Sequence, residues 1–186
     1  MAMPLDHTKA LIVTANKFHD KLSKIKVCIF DIDGILTNGG ITWDGQDIGF
    51  NRTTHSRDGW IMKFFQRHGI KVGVISGGDG PNLRKRFIDN LKLDYVFLGN
   101  EDKREAYKHI LNDGFKDENI LYMGDEFIDI PLLKKAGFSA TVPNSSYEVQ
   151  EAVDYITFRE SGDACAREVM ELVRIAQNLK SDVVDF

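Results

Sequence analysis

Four short stretches of this sequence gather side chains from which reactions are built. They are Asp31-Ile32-Asp33-Gly34, Ser76-Gly77-Gly78, Asp102-Lys103, and Gly124-Asp125-Glu126 with Asp129 close behind. Between them they supply carboxylates, a hydroxyl and an amine. Carboxylates converging on one mouth repel one another unless a hard cation neutralises them, and an all-oxygen donor set suits Mg²⁺. The same cation would screen an incoming phosphate from an attacking carboxylate, while a lysine and a serine hydroxyl bind the phosphoryl oxygens. Such a group of residues is equipped to pass through an aspartyl-phosphate.

The four stretches can act together only if the fold brings them to one edge. Each follows a short apolar run rich in strand formers: Val27-Cys28-Ile29-Phe30, then residues 72–75, 95–98 and 120–123, with a fifth run at 139–142. Helical patterns over 58–68, 81–90, 101–112, 128–135 and 164–178 fall between or after them, three of them with a glycine at or near the close. Strands alternating with helices predict an α/β fold with a parallel sheet covered on both faces. In such sheets ligands bind beyond the carboxyl ends of the strands, where the four stretches sit. Residues 35–51 break the pattern: Asn38-Gly39-Gly40 and Asp44-Gly45 are turn signals around Ile41, Trp43 and Ile48, and they predict a projecting β-hairpin.

The chain has 186 residues, 42% hydrophobic and 28% charged with four prolines, which suits one globular domain. We divide it into an N-terminal helical extension (1–24), a catalytic body (25–180) and a tail (181–186). Leu11, Ala15, Phe18 and Leu22 recur at helical spacing in the extension. Lys17, His19, Asp20 and Lys21 interrupt the same segment, so it cannot span a membrane. A net charge of -4 argues against a general grip on nucleic acid or anionic lipid. Cys28 and Cys165 lack C-x-x-C spacing, and no secretory signal precedes them, so a reduced, cytoplasmic setting is expected.

In motif order (D-x-D, Ser or Thr, Lys, and a terminal acidic pair) the chain resembles the haloacid dehalogenase-superfamily phosphatases. More narrowly, Asp31-Ile-Asp-Gly-Ile-Leu-Thr37, Arg57-Asp58-Gly59, Asp102-Lys103 and Arg167-Glu168 resemble the 3-deoxy-D-manno-octulosonate 8-phosphate phosphatases. The resemblance implies a three-layer Rossmann-like fold without a cap domain. It implies Asp31 as nucleophile and metal ligand, and Asp33 as general acid/base with its backbone carbonyl on Mg²⁺. Asp125 becomes a further metal ligand, supported from behind by Asp129. Ser76, Gly77 and Lys103 hold the phosphate, and Arg57 is a candidate substrate contact. A homotetramer with shared active sites, acting on a small sugar-acid phosphate, is the assembly so implied.

The chain also departs from that group. Ser76-Gly77-Gly78 stands where Thr-Gly-Arg is usual, Ser161-Gly162-Asp163-Ala164 replaces a G-G-x-G stretch, and about four additional residues, His55 among them, lie between Phe50 and Arg57. An acylneuraminate or nonulosonic acid 9-phosphate substrate therefore stays open, as does a non-catalytic subunit on the same fold. Arg57 has a second reading as a surface charge, and Arg167 one as an i,i+4 partner of Glu171. His55 fits solvent exposure or substrate contact, and Trp43 and Trp60 fit a core, an interface or sugar stacking. Cys28, inside the first strand, reads as a small core residue.

Overall fold

The apolar run Val27–Phe30 forms β1, buried at every position, and it lies at the middle of the sheet. A computed structural model of the chain describes residues 4–47 and 49–180; Ile48 of the expected hairpin, the tail 181–186 and the first three residues lie outside the described residues. On either side of β1 run β4 (Lys71–Ser76) and β6 (Ile120–Met123). Outside them lie β5 (Tyr95–Leu98) on one edge and β7 (Phe138–Thr141) then β8 (Tyr155–Ile156) on the other. The order is β5-β4-β1-β6-β7-β8, with every pairing parallel. Phe30 stands opposite both Val74 and Met123, so β1 and β6 finish level while β4 runs two residues further, to Ser76. The chain leaves β1 to one side for β4 and returns to its other side for β6, which opens a crevice at their carboxyl ends.

Side chains alternate across the sheet with a period of two. Cys28 and Phe30 face one layer of helices, and Val27 and Ile29 face the other. The first layer is α1 (Pro4–Lys17), α2 (His19–Leu22), α3 (Ser56–Arg67), the single turn α4 (Pro81–Arg84) and α8 (Cys165–Ala176). The second is α5 (Arg104–Asn112), α6 (Ile130–Leu133) and α7 (Tyr147–Glu151). This is the expected three-layer α/β fold around a parallel sheet. Leu11, Ala15 and Leu22 are buried and Phe18 packs against the same core, as their spacing predicts, although Phe18 breaks the helix into two pieces. Burying each of the two leucine side chains is worth about 1.5–3 kcal/mol before entropy is counted.

The structure revises several boundaries. The hairpin is narrower than 35–51, because Ile35 and Leu36 belong to a buried turn over Ile32–Leu36. Its strands are only β2 (Thr42–Trp43) and β3 (Phe50–Asn51), paired antiparallel. The helix expected from residue 101 starts at Arg104. Asn100 and Asp102 side chains accept from the amides of Asp102 and Arg104 at 3.0 and 3.2 Å, holding an irregular turn that leaves Lys103 just ahead of α5. The helix expected over 128–135 is a tight turn at Phe127–Asp129 followed by α6. Both α7 and β8 are additional elements, too short to show a hydrophobic period.

Candidate active site

Lys103 is the hub of the site. Its Nζ donates to Asp31 Oδ1 and to Asp129 Oδ1, both at 2.6 Å, and its side chain is 1% exposed. Asp31 leaves the end of β1, its amide still donating to the Met123 carbonyl of β6 at 2.9 Å. Asp129 is buried, and its four lone-pair sites are all engaged. Oδ1 accepts from Lys103 and from the Tyr122 hydroxyl (2.5 Å), and Oδ2 accepts the amides of Asp125 and Glu126, each at 3.1 Å. A buried ammonium with a single carboxylate partner would be costly to hold; two carboxylates and a tyrosine close the network.

The cluster carries more negative than positive charge. Asp31, Asp125 and Asp129 each offer an oxygen within 4.8 Å of the others, against one lysine. Burial pushes the Asp31 carboxyl up to about 7, with Lys103 opposing the rise. Burial and then the neighbouring Asp31 push Asp125 up to about 8. For Lys103, burial pulls the ammonium down, but Asp31 and Asp129 together hold it above its ordinary value. Asp125 Oδ1 is buried and has no hydrogen-bond partner among the described residues. Gly34 has φ +93, and a Cβ there would stand 2.0 Å from Asp125 Oδ2, so only glycine lets this carboxylate lie against the turn after β1. An orphaned carboxylate oxygen beside Asp31, in an all-oxygen surround, fits a hard divalent cation such as Mg²⁺. Asp129, with its lone pairs spent, is left to hold Lys103 and the loop rather than to face the cation.

Asp33, two residues past Asp31, has a different environment. Arg52 Nε donates to both of its oxygens, at 2.7 and 2.9 Å, and the Thr37 hydroxyl adds a bond of 3.3 Å. Arg52 Nη1 donates to the Phe50 carbonyl at 3.2 Å, which ties the guanidinium to the hairpin. Ser76 ends β4 buried, and its Oγ accepts the Gly78 amide at 3.1 Å. Gly77 lies between them, and a Cβ there would stand 3.1 Å from the Glu101 side chain.

The strand ends thus bring together Asp31, Lys103, Asp125 and Asp129, with Asp33, Ser76 and Gly77 beside them. Arg57 is not drawn into this group. It lies exposed on the first turn of α3 and lines a groove with His7, Leu11, Arg159 and Arg167. Arg167 pairs with Glu171 at 2.6 Å, and its guanidinium lies 5.2 Å from the ring centre of the half-exposed Trp60. His55 caps α3 by accepting the Arg57 amide at 3.1 Å. Asp58 is buried, accepts the Arg167 amide at 2.7 Å, and is pushed by burial up to about 6. Sequence reasoning missed Arg52 and Tyr122. The signals for them were a single basic residue in the additional stretch after Phe50, and a hydroxyl inside an otherwise apolar strand.

Comparison with known proteins adds an independent line. Residues 95–169 match the haloacid dehalogenase-like hydrolase family. The 3-deoxy-D-manno-octulosonate 8-phosphate phosphatase KdsC of Haemophilus influenzae is 34% identical over 166 residues, covering 89% of this chain and 91% of that protein. Its counterpart in Escherichia coli K12 is 28% identical over 160 residues, covering 84% and 83%. Among solved structures, the cobalt-bound H. influenzae deoxy-D-mannose-octulosonate 8-phosphate phosphatase superposes with a TM-score of 0.79 at 33% identity, covering 85% of this chain and 92% of that one. The Moraxella catarrhalis 3-deoxy-D-manno-octulosonate 8-phosphate phosphatase, in complex with magnesium, phosphate and KDO, superposes at 0.82 with 29% identity, covering 88% and 93%.

Proposed function

Because the chain belongs to the haloacid dehalogenase-like hydrolase family and is a phosphatase of its KdsC-like branch, we propose that it hydrolyses 3-deoxy-D-manno-octulosonate 8-phosphate with Mg²⁺ in the cytoplasm. The observation that carries this reading is Lys103 bridging Asp31 and Asp129, with Asp33 just beyond, at the carboxyl end of the central strand. No described helix is long and apolar enough to cross a membrane.

In this mechanism Asp31 attacks phosphorus, forming an aspartyl-phosphate as the bond to the sugar oxygen breaks. Asp33 gives its proton to the departing alkoxide, then takes one from the water that cleaves the phospho-enzyme and restores Asp31. Lys103 holds Asp31 in position and neutralises charge on the phosphoryl oxygens, which the Ser76 hydroxyl and the Gly77 amide also bind. Asp31, Asp125 and the Asp33 carbonyl would hold Mg²⁺, which when bound offsets the negative charge gathered on phosphate and carboxylates. Asp129 positions Lys103 and the Asp125 loop.

A mouth with no cap domain leaves the sugar open to water, so the assembly is proposed to be a homotetramer in which a neighbour's hairpin helps to close each site. Arg57, on the α3 turn after the hairpin, is assigned to that shared rim.

The test is turnover with Mg²⁺ of a panel holding 3-deoxy-D-manno-octulosonate 8-phosphate, an acylneuraminate 9-phosphate and an aryl phosphate. The first should have the highest kcat/KM. Asp31→Asn should abolish turnover, and Asp33→Asn should lower it by about 10²–10⁴-fold. Full activity in folded Asp31→Asn, or no turnover of any phosphate, would overturn the reading. A preference for the nine-carbon acid would move the substrate and keep the mechanism.

A further inference from the structure

The site holds one cation that the chemistry above does not use. Arg52 has a side chain 6% exposed, yet it belongs to a polar stretch with no regular structure, between β3 and α3. Its Nε is spent on Asp33 and its Nη1 on the Phe50 carbonyl, while Nη2 has no partner among the described residues. That free nitrogen lies 2.8 Å from the point where a Cβ of residue 78 would stand. Asp33 Oδ2 is 3.2 Å and Ser76 Oγ 3.5 Å from the same point. The absent side chain of Gly78 therefore lets an unpaired guanidinium N–H, the proposed acid/base and the proposed phosphate-binding hydroxyl pack together against the backbone of residue 78.

The contact with Asp33 points to the part of a substrate that the guanidinium would meet. Asp33 must reach the oxygen that leaves phosphorus, so a group lying against Asp33 is beside the leaving group and not the transferred phosphoryl. Lys103 already faces the phosphoryl side, and Ser76, which also lies beside Gly78, stands at the border between the two. A planar guanidinium with free N–H donors is matched to a carboxylate, which it can bind through two parallel bonds.

We propose that Arg52 recognises an anionic group on the leaving sugar, a carboxylate in a sugar acid, and that residue 78 is glycine to give the guanidinium room. The inference rests on the sugar-acid reading above and names the residue that enforces it. In the free enzyme Arg52 rests on Asp33; in the complex the substrate carboxylate takes the guanidinium, and Asp33 is released toward the leaving oxygen. Recognition and chemistry are coupled through this exchange, because a phosphate ester without a second anion leaves Arg52 on Asp33.

The experiment compares kcat/KM for 3-deoxy-D-manno-octulosonate 8-phosphate with that for the neutral sugar ester mannose 6-phosphate, in the Mg²⁺-loaded parent, Arg52→Gln, Arg52→Lys and Gly78→Ala. One charge-assisted contact is worth about tenfold to a hundredfold, so Arg52→Gln should lower the ratio of the two kcat/KM values by that much. Arg52→Lys should restore part of the ratio. Gly78→Ala should lower it too with the fold kept, since the clash is with the tip of a flexible side chain. A merely structural Arg52 that only positions Asp33 would reduce both substrates alike; an unchanged ratio in Arg52→Gln and Gly78→Ala overturns the inference and leaves the phosphatase reading standing. A parent enzyme that handles the neutral ester as well as the acid overturns the inference together with the sugar-acid reading on which it rests.

Discussion

Two charged groups lie at the carboxyl end of the sheet and are held in different ways. Lys103 with Asp31 and Asp129 is almost sealed, with side-chain exposures of 1%, 8% and 0%; Asp33, paired with Arg52, is 27% exposed. In the sealed group every charge must keep its protein partner, because water cannot replace it. At the rim Asp33 itself reaches water, so it can trade Arg52 for water or for a ligand at a lower cost than the sealed carboxylates would meet in losing Lys103. The centre is therefore suited to a fixed reaction, and the rim to a choice of substrate. The supports differ accordingly: strand ends and the start of α5 deliver the centre, whereas a hairpin of two-residue strands and an irregular stretch deliver the rim.

Removing the cation from each pair tests this difference most strongly. Lys103→Met leaves Asp31 and Asp129 buried without their shared partner, and it should cost about 3–5 kcal/mol of unfolding free energy at neutral pH in chelator. Arg52→Met should cost less than about 1 kcal/mol under the same conditions, since Asp33 reaches water. Denaturant unfolding of the two variants checks this. Equal losses would mean that the rim is as tightly specified as the centre.

The contrast also explains which features the sequence displayed. Val27–Phe30 and Ile120–Met123 are continuous apolar runs because both faces of a parallel sheet are covered, and the chemistry of the centre follows them at fixed offsets. Lys103 and Asp129 were visible for that reason. Arg52 was not, because its partner Asp33 is 19 residues away and nothing periodic connects them. Tyr122 sits in a strand where alternation forecasts burial, but it cannot say that the hydroxyl meets Asp129. The hairpin was legible as turns and its extent was not, since Ile35 and Leu36 are apolar enough to belong to either the core or a strand.

A second test uses protons. The Asp31 and Asp125 carboxyls are raised by burial from an ordinary value of 3.8 to about 7 and about 8. Between about pH 4 and pH 8 the metal-free folded chain therefore holds protons that the unfolded chain has released, so unfolding free energy falls as pH rises through this window. The melting temperature in chelator should drop steadily from about pH 5 to about pH 8, and Asp125→Asn should lessen the slope. Adding Mg²⁺ at the upper end should recover stability, because the cation binds the deprotonated carboxylates. A flat metal-free profile would show that the centre is not the charge-crowded region described above.

The smallest effect on the protomer, and the sharpest separation of rim from centre, should come from the hairpin. Ile41, Trp43 and Phe50 are each more than half exposed, at 53%, 57% and 56%, and Trp43 meets Phe50 edge-on with ring centres 5.0 Å apart. A two-stranded ribbon this short has little stability of its own, and three large apolar groups on it form a patch suited to burial against another subunit. Changing Ile41 and Trp43 to lysine touches no core contact, so unfolding of the protomer should shift by no more than about 0.5 kcal/mol. If the neighbour's hairpin closes the site, the same substitutions should lower the mass in solution and reduce kcat/KM for the sugar-acid phosphate more than for an aryl phosphate. Arg52 follows directly on β3, so the orientation of its guanidinium depends on where that ribbon rests. Light scattering with paired kinetics decides the matter: a variant of unchanged mass and unchanged substrate preference would mean that each protomer closes its own site and that the tetramer reading is wrong.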